Sequence, residues 1–232
     1  MSFGFLSFLA LPALVLSWYG LGLVGAAWVI YDEIAVNKPL NTAVKWAMPI
    51  IVLFFSVIGL AIYLWICRPP NIGELHGDEA KAAFTRYAEP TYRKVNGAIV
   101  HCGGGDGLGI VSAMILARLV GMSFWQEFWF EYAVGFAFGW FIFQLKAMLT
   151  MADSVPRALW MGGRAEFFSM ITVMGGMGVV MGVVTPLVVG PQPKPDTAAF
   201  WGFAAFGLLV GYITTIPTNW ILVKMGWKHG LG

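Results

Sequence analysis

Long apolar runs separated by short polar intervals organise this chain. Crossing a hydrocarbon core of about 30 Å takes roughly 20 helical residues. Six runs reach that length: about Phe5 to Tyr31, Lys45 to Cys67, Gly97 to Gly121, Phe124 to Met148, Arg164 to Val189 and Ala198 to Val223. The polar pair Asp32-Glu33 and the loop Asn37-Lys38-Pro39 close the first run, and Arg68-Pro69-Pro70 closes the second. The one substantial polar stretch, Asn71 to Asn96, interleaves Ala80, Ala83, Phe84, Tyr87 and Tyr92 with Lys81, Arg86, Arg93 and Lys94. That pattern suits a short helix lying at the membrane interface. The chain therefore reads as an all-α, polytopic membrane helix bundle of about six transmembrane helices plus one short interfacial helix. It divides into two N-terminal transmembrane helices (1–70), a polar cytoplasmic segment (71–96) and a four-helix membrane domain (97–232).

Composition agrees with this reading. Of 232 residues, 59% are hydrophobic and 11% charged, against about 25% charged in a soluble domain. A net charge of +2, with no basic cluster interleaved with aromatics, excludes a nucleic-acid surface. The first run has neither a basic leader nor a small-residue cleavage site, so it is expected to stay as a helix.

Orientation follows from the basic residues, which are retained on the cytoplasmic side. If all six runs cross, Arg68, Lys81, Arg86, Arg93, Lys94, Lys146, Arg157, Arg164, Lys224 and Lys228 share one face. Lys38, Lys45, Arg118 and Lys194 share the other. This predicts a multi-pass protein of the inner (plasma) membrane with both termini in the cytoplasm. Cys67 and Cys102 then face the reducing side, and no disulfide is expected.

Ionisable residues inside membrane spans are costly and mark functional positions. The densest group is His101-Cys102 followed by Gly105, Asp106 and Gly109. Its glycines resemble a dinucleotide fingerprint, but no strand precedes them, which excludes nucleotide binding. On the fifth run, Glu166, Met170, Met174, Met177 and Met181 fall on one helical face, and the methionines climb about 16 Å. Thioethers beside a thiol and an imidazole suit copper, with zinc as the alternative; the same methionines also suit plain packing against glycine. The metal candidates are thus His101, Cys102, Asp106, Glu166 and the four methionines. Glu131, Gln144 and Asn219 are further polar intramembrane candidates. Glycines four apart (Gly105/Gly109, Gly135/Gly139, Gly178/Gly182, Gly207/Gly211) predict close helix approach in the second half, and Pro217 predicts a kink in the last run. No motif compels an enzyme.

Taken together, the His101-Cys102 stretch with Gly105-Asp106 and Gly109, EYAVGFAFGWFIFQ, AEFFSM and the final FWGFAAFGLLVGYITTIPTNWILVKMGWKHGL resemble the bacterial membrane proteins of the domain of unknown function 4396 family. The resemblance is close from about Asn96 to Leu231, and the first two helices resemble those of its longer members. It implies a compact helical membrane domain and no established activity. Many relatives resemble this chain in Pro217-Thr-Asn219-Trp220, whereas members with more acidic and Asn residues in helix five differ from it. Three functions remain open on these residues. One is metal handling, and another is a non-catalytic accessory subunit of a larger membrane redox or photosynthetic-type complex, suggested by 11 Trp and 18 Phe. The third is a proton- or ion-coupled transporter using Asp106, Glu131 and Glu166. Expected partners are the lipid bilayer and other membrane subunits or further copies of the chain.

Overall fold

The computed structural model describes residues 3–149, 152–228 and 230–231. Of Lys146, counted above among the basic residues, the side chain lies outside what is described. A short 3-10 turn, Gly4–Ala10, leads into α1 (Pro12–Ala35), started by Pro12 in the first turn, where a missing N–H costs nothing. α2 (Thr42–Ile62) continues as a π-helical turn, Tyr63–Cys67. α3 (Gly77–Ala88) buries Ala80, Phe84 and Ala88 at a spacing of four and leaves its charges outside, an amphipathic helix.

α4 (Thr91–Val120) starts directly after Pro90 and is 30 residues long, about 45 Å. It therefore begins about six residues before the apolar run and carries Arg93 and Lys94 on its first turn. α5 (Phe124–Ala137), a π-helical stretch Phe138–Gln144 and α6 (Leu145–Leu149) make one continuous path. So do α7 (Val155–Val179), a π-helical turn Val180–Val184 and α8 (Thr185–Val189). The last path is α9 (Ala198–Thr214) followed by α10 (Ile216–Lys224); it breaks at Thr215, with Pro217 in the first turn of α10, which is the kink the proline predicts. Among the described residues there is no strand, and the chain is an all-α membrane bundle.

Five stretches among the described residues are long and apolar enough to cross a membrane: Pro12–Ala35, Thr42–Cys67, Thr91–Val120, Val155–Val189 and Ala198–Lys224. The path from Phe124 to Leu149 joins them. Gly109 meets the Cα of Gly135, and Gly178 and Gly182 face Phe128 and Phe124. α5 and its continuation thus run antiparallel to both α4 and α7 along their length, and the small residues allow the close approach.

The second stretch does not run straight. Ser56, in its middle, has φ 49° and ψ −126°, which is not helical. A Cβ on Gly59 would stand 2.7 Å from Val52 Cα, whereas residues seven apart in a continuous helix are separated by about 10 Å. Both outer ends also meet the same loop: Lys45 Nζ donates to Lys38 O at 2.9 Å and Asn37 Nδ2 to Cys67 O at 2.9 Å. A straight helix would hold residues 45 and 67 about 33 Å apart. α2 is therefore a helical hairpin with one arm over 42–55 and the other from 57 onward. The sequence-based expectation of one helix from Lys45 to Cys67 is corrected here to two arms that reverse at Ser56, because nothing in an unbroken apolar run marks a reversal.

Candidate functional site

Near one end of the bundle, ionisable side chains from separate elements converge. α4 supplies His101, Cys102 and Asp106, α7 supplies Glu166, the π-helical stretch supplies Gln144, and the segment after α10 supplies Lys228. All six are buried. Lys228 reaches in because the chain turns back at Gly226 (φ 68°). The tail then lies on the start of α4, with Gly230 against the backbone of Lys94 and the buried Leu231 against Gly97. Trp227, in the same turn, lies under the Arg164 guanidinium, 4.1 Å from its ring centre.

Cys102 Sγ accepts from Gln144 Nε2 at 3.1 Å and from Lys228 Nζ at 3.1 Å, and stands 3.8 Å from His101 Nδ1. Lys228 Nζ lies 3.6 Å from Glu166 Oε2. Asp106 Oδ1 and Glu166 Oε1 both lie against Gly139, so the two carboxyls face each other, and none of their four oxygens has a hydrogen-bond partner among the described residues. Two carboxyls bond only when one of them carries a proton, and no other donor among the described residues reaches either Asp106 oxygen. Gly139 makes the meeting possible: a Cβ there would fall on Asp106 Oδ1 and 2.7 Å from Glu166 Oε1. This glycine lies in the π-helical stretch, a feature frequent at functional positions. Burial works against the charge of Lys228, but Cys102 and Glu166 outweigh it and push its pKa up to about 12.

One turn further along α7, Ser169 joins a hydroxyl network across the break between α9 and α10. Asn219 Nδ2 donates to Ser169 Oγ at 3.0 Å and to Thr215 Oγ1 at 2.8 Å, and Thr172 and Thr215 hydroxyls lie 2.8 Å apart. These bonds hold the interrupted backbone that the proline creates. A cavity of about 30 Å³, room for a water molecule or two, lies between this network, Asp106 and the α2 hairpin, whose Phe54 and Phe55 form part of its wall.

The remaining candidates lie elsewhere. Met170, Met174 and Met177 on α7 and Met181 in the π-helical turn after it are buried and lead away from Glu166. Met170 packs on Gly135, and Met177 and Met181 pack on Gly207. At the far end of the bundle Glu131 and Glu127 are both buried, one turn apart on α5. Glu127 in turn holds Arg118 in an ion pair and accepts from Gln192 at 2.7 Å. Among the described residues, no group of three or more His, Cys, Asp or Glu is arranged to hold a metal ion, and the Lys228 ammonium occupies the space between Cys102 and Glu166. Cys67 and Cys102 are both buried free thiols.

Sequence reasoning missed two features. Lys228 counted only as a flanking charge, although Gly226 and Gly230 around it, with the apolar Leu231 beyond, are the signal of a tail that folds back. Asp32 and Arg68 counted as loop charges on opposite faces, yet Arg68 Nε donates to Asp32 Oδ2 at 2.9 Å and Tyr63 OH donates to the same oxygen at 2.6 Å. The bond to Asp32 raises the Arg68 pKa above its ordinary value.

The family model described as "Domain of unknown function (DUF4396)" matches residues 91–228. The chain belongs to the DUF4396 family. The match opens with the first residue of α4 and closes on Lys228, so it takes in every residue of the converging set. α1, the α2 hairpin and α3 precede it. No curated protein and no solved structure matches the chain.

Proposed function

We propose that this DUF4396 protein is a multi-pass protein of the bacterial inner membrane that moves protons, or a small cation exchanged for them, through Asp106, Glu166 and Lys228. The observation that carries the reading is the convergence of two carboxyls and one ammonium, fully buried, from α4, α7 and the C-terminal tail. Buried charges of this kind are expensive in a membrane and characterise proton and ion pathways. With both carboxyls ionised the set carries net charge −1, and with one proton it is neutral. It can therefore exchange a single proton without leaving a large uncompensated charge in a dry interior. Lys228, on the segment that turns back at Gly226, acts as a tethered cation that an arriving cation displaces. The functional unit in this reading is the 97–232 domain with the first turns of α4, and the 1–70 helices and the 71–96 segment flank it.

The metal reading draws on the sulfur-lined face of α7 and on Cys102, and it requires Lys228 to withdraw. The accessory-subunit reading draws on an aromatic exterior, with Trp46 70% and Trp160 69% exposed. Neither has an observation at the converging charges in its favour.

The test is proton entry into proteoliposomes under an imposed potassium diffusion potential, followed by a trapped pH dye. The purified chain should acidify the lumen faster than protein-free vesicles, and Asp106→Asn should remove most of the difference. Wild-type rates equal to those of empty vesicles, with and without sodium or divalent cations outside, would overturn the proposal.

A further inference from the structure

We infer that α2 enters and leaves the membrane through one face, so that five helical paths cross it and the N- and C-terminal ends of the bundle lie on opposite sides. The inference does not depend on the transport reading. Its first support is geometric. Residues 38 and 67 lie at the same loop, bound through Lys45 to Lys38 and through Asn37 to Cys67. The arms meet at Gly59 and Val52. The arm of 42–55 is about 21 Å long, too short to span the hydrocarbon core. Tyr87, next to α4, donates to Trp65 O at 2.6 Å, so the hairpin returns to the end from which α4 departs. At the opposite end, Leu9 abuts Gly202 and Tyr19 donates to Trp201 O at 3.1 Å, which places the start of α1 beside the start of α9.

The second support is independent of the geometry. Reversing α2 moves Lys38 and Lys45 to the face that already holds most of the basic residues. Of 14 Lys and Arg, Arg118 and Lys194 alone then remain on the other face, and Arg118 is paired with the buried Glu127. Ten against four becomes twelve against two. Because basic residues near helix ends are kept in the cytoplasm, the hairpin topology is the one the charges favour. It assigns the Lys228 end to the cytoplasm and the start of α1 to the outside.

The reversal also has a reason to exist. Irregular backbone at membrane depth is tolerated only where protein buries it or where it lines a cavity. Ser56 is buried, and the two residues before it, Phe54 and Phe55, line the cavity at Asp106. The hairpin is a half-membrane wall for that cavity, whose other walls come from α4, α7 and α9, with Gly139 of the π-helical stretch also against the Asp106 carboxyl.

Single cysteines at Lys38, Asp78 and Lys194, all exposed, read the topology directly in intact cells treated with a membrane-impermeant maleimide. The parent protein is the blank, since Cys67 and Cys102 are buried. Each variant is first shown to purify from the membrane in the same monodisperse form. The expected result is labelling at Lys194→Cys alone, with Lys38→Cys and Asp78→Cys labelled only after permeabilisation. Labelling of Lys38→Cys together with Lys194→Cys overturns the hairpin. Labelling of Lys38→Cys and Asp78→Cys with Lys194→Cys protected overturns the assignment of faces.

Discussion

Ser56→Gly distinguishes a helical hairpin from a straight span by the sign of its effect. Ser56 has φ 49° and ψ −126°, a backbone region that non-glycine residues enter at a cost on the order of 1–3 kcal/mol and that glycine enters freely. Its hydroxyl is buried with no hydrogen-bond partner among the described residues, so removing the side chain breaks no bond and leaves no orphaned group. Against this gain stands the greater freedom of glycine in the unfolded chain, worth about 0.5–1 kcal/mol. The net expectation is stabilisation by about 1 kcal/mol. For a chain of 232 residues that is a rise of about 2–4 °C in melting temperature, readable by thermal unfolding of detergent-purified protein. In a continuous helix the same substitution would instead cost roughly 0.5 kcal/mol through lost helix propensity. A lowered melting temperature for Ser56→Gly would refute the reversal.

Gly139→Ala should destabilise by about 1–3 kcal/mol, because the new methyl group meets both Asp106 and Glu166 and well-packed interiors do not absorb such intrusion; a loss below 0.5 kcal/mol, about the scale of an ordinary surface change, would show that the carboxyls do not meet at that glycine. Lys228 supplies a pH signature. Its pKa in the folded chain, about 12, lies above the ordinary value of 10.5, so its stabilisation is complete below about pH 10.5 and is lost as pH rises through about 12. The stability difference between wild type and Lys228→Met should be constant from about pH 6 to 10 and shrink above that, whereas a difference that already vanished near neutrality would contradict a charged, paired Lys228.

Much of the fold is legible in the sequence because the bilayer imposes one dominant rule. Apolar runs of sufficient length mark α1, α4, α7 and α9, and Pro217 marks the break before α10. The amphipathic character of α3 follows from Ala80 and Phe84 lying a turn apart among charges. Boundaries were less accurate where helices extend beyond the lipid. α1 continues through Asp32 and Glu33, α4 begins at Thr91, and α7 begins at Val155, since polar residues are compatible with helix once water or a partner is available. The hairpin was not legible from hydropathy, because Ser56 and Gly59 are unremarkable inside an apolar run. The distribution of Lys38, Lys45 and Arg68 held the missing information. At the site, His101, Cys102, Asp106 and Glu166 stand out as polar groups in apolar helices, and the structure brings them to one place. Lys228 did not stand out, because a fold-back made by Gly226 and Leu231 is a tertiary event with no periodic signature. The π-helical stretch that seats Gly139 against both carboxyls likewise depends on packing and leaves no pattern in the run.

The proposed proton route requires that Asp106, Glu166 and Lys228 form one mutually compensated set inside the bundle. A double-mutant cycle on thermal unfolding in detergent tests it. Lys228→Met alone leaves two buried carboxyls without their cation and should cost on the order of 3–5 kcal/mol, a fall on the order of 10 °C. Adding Glu166→Gln removes one of those ionisable groups and supplies an amide donor to Asp106, so the double variant should recover more than half of the loss. Losses that simply add in the double variant would contradict the claim, because they would mean that Lys228 and the carboxyls stabilise the bundle independently.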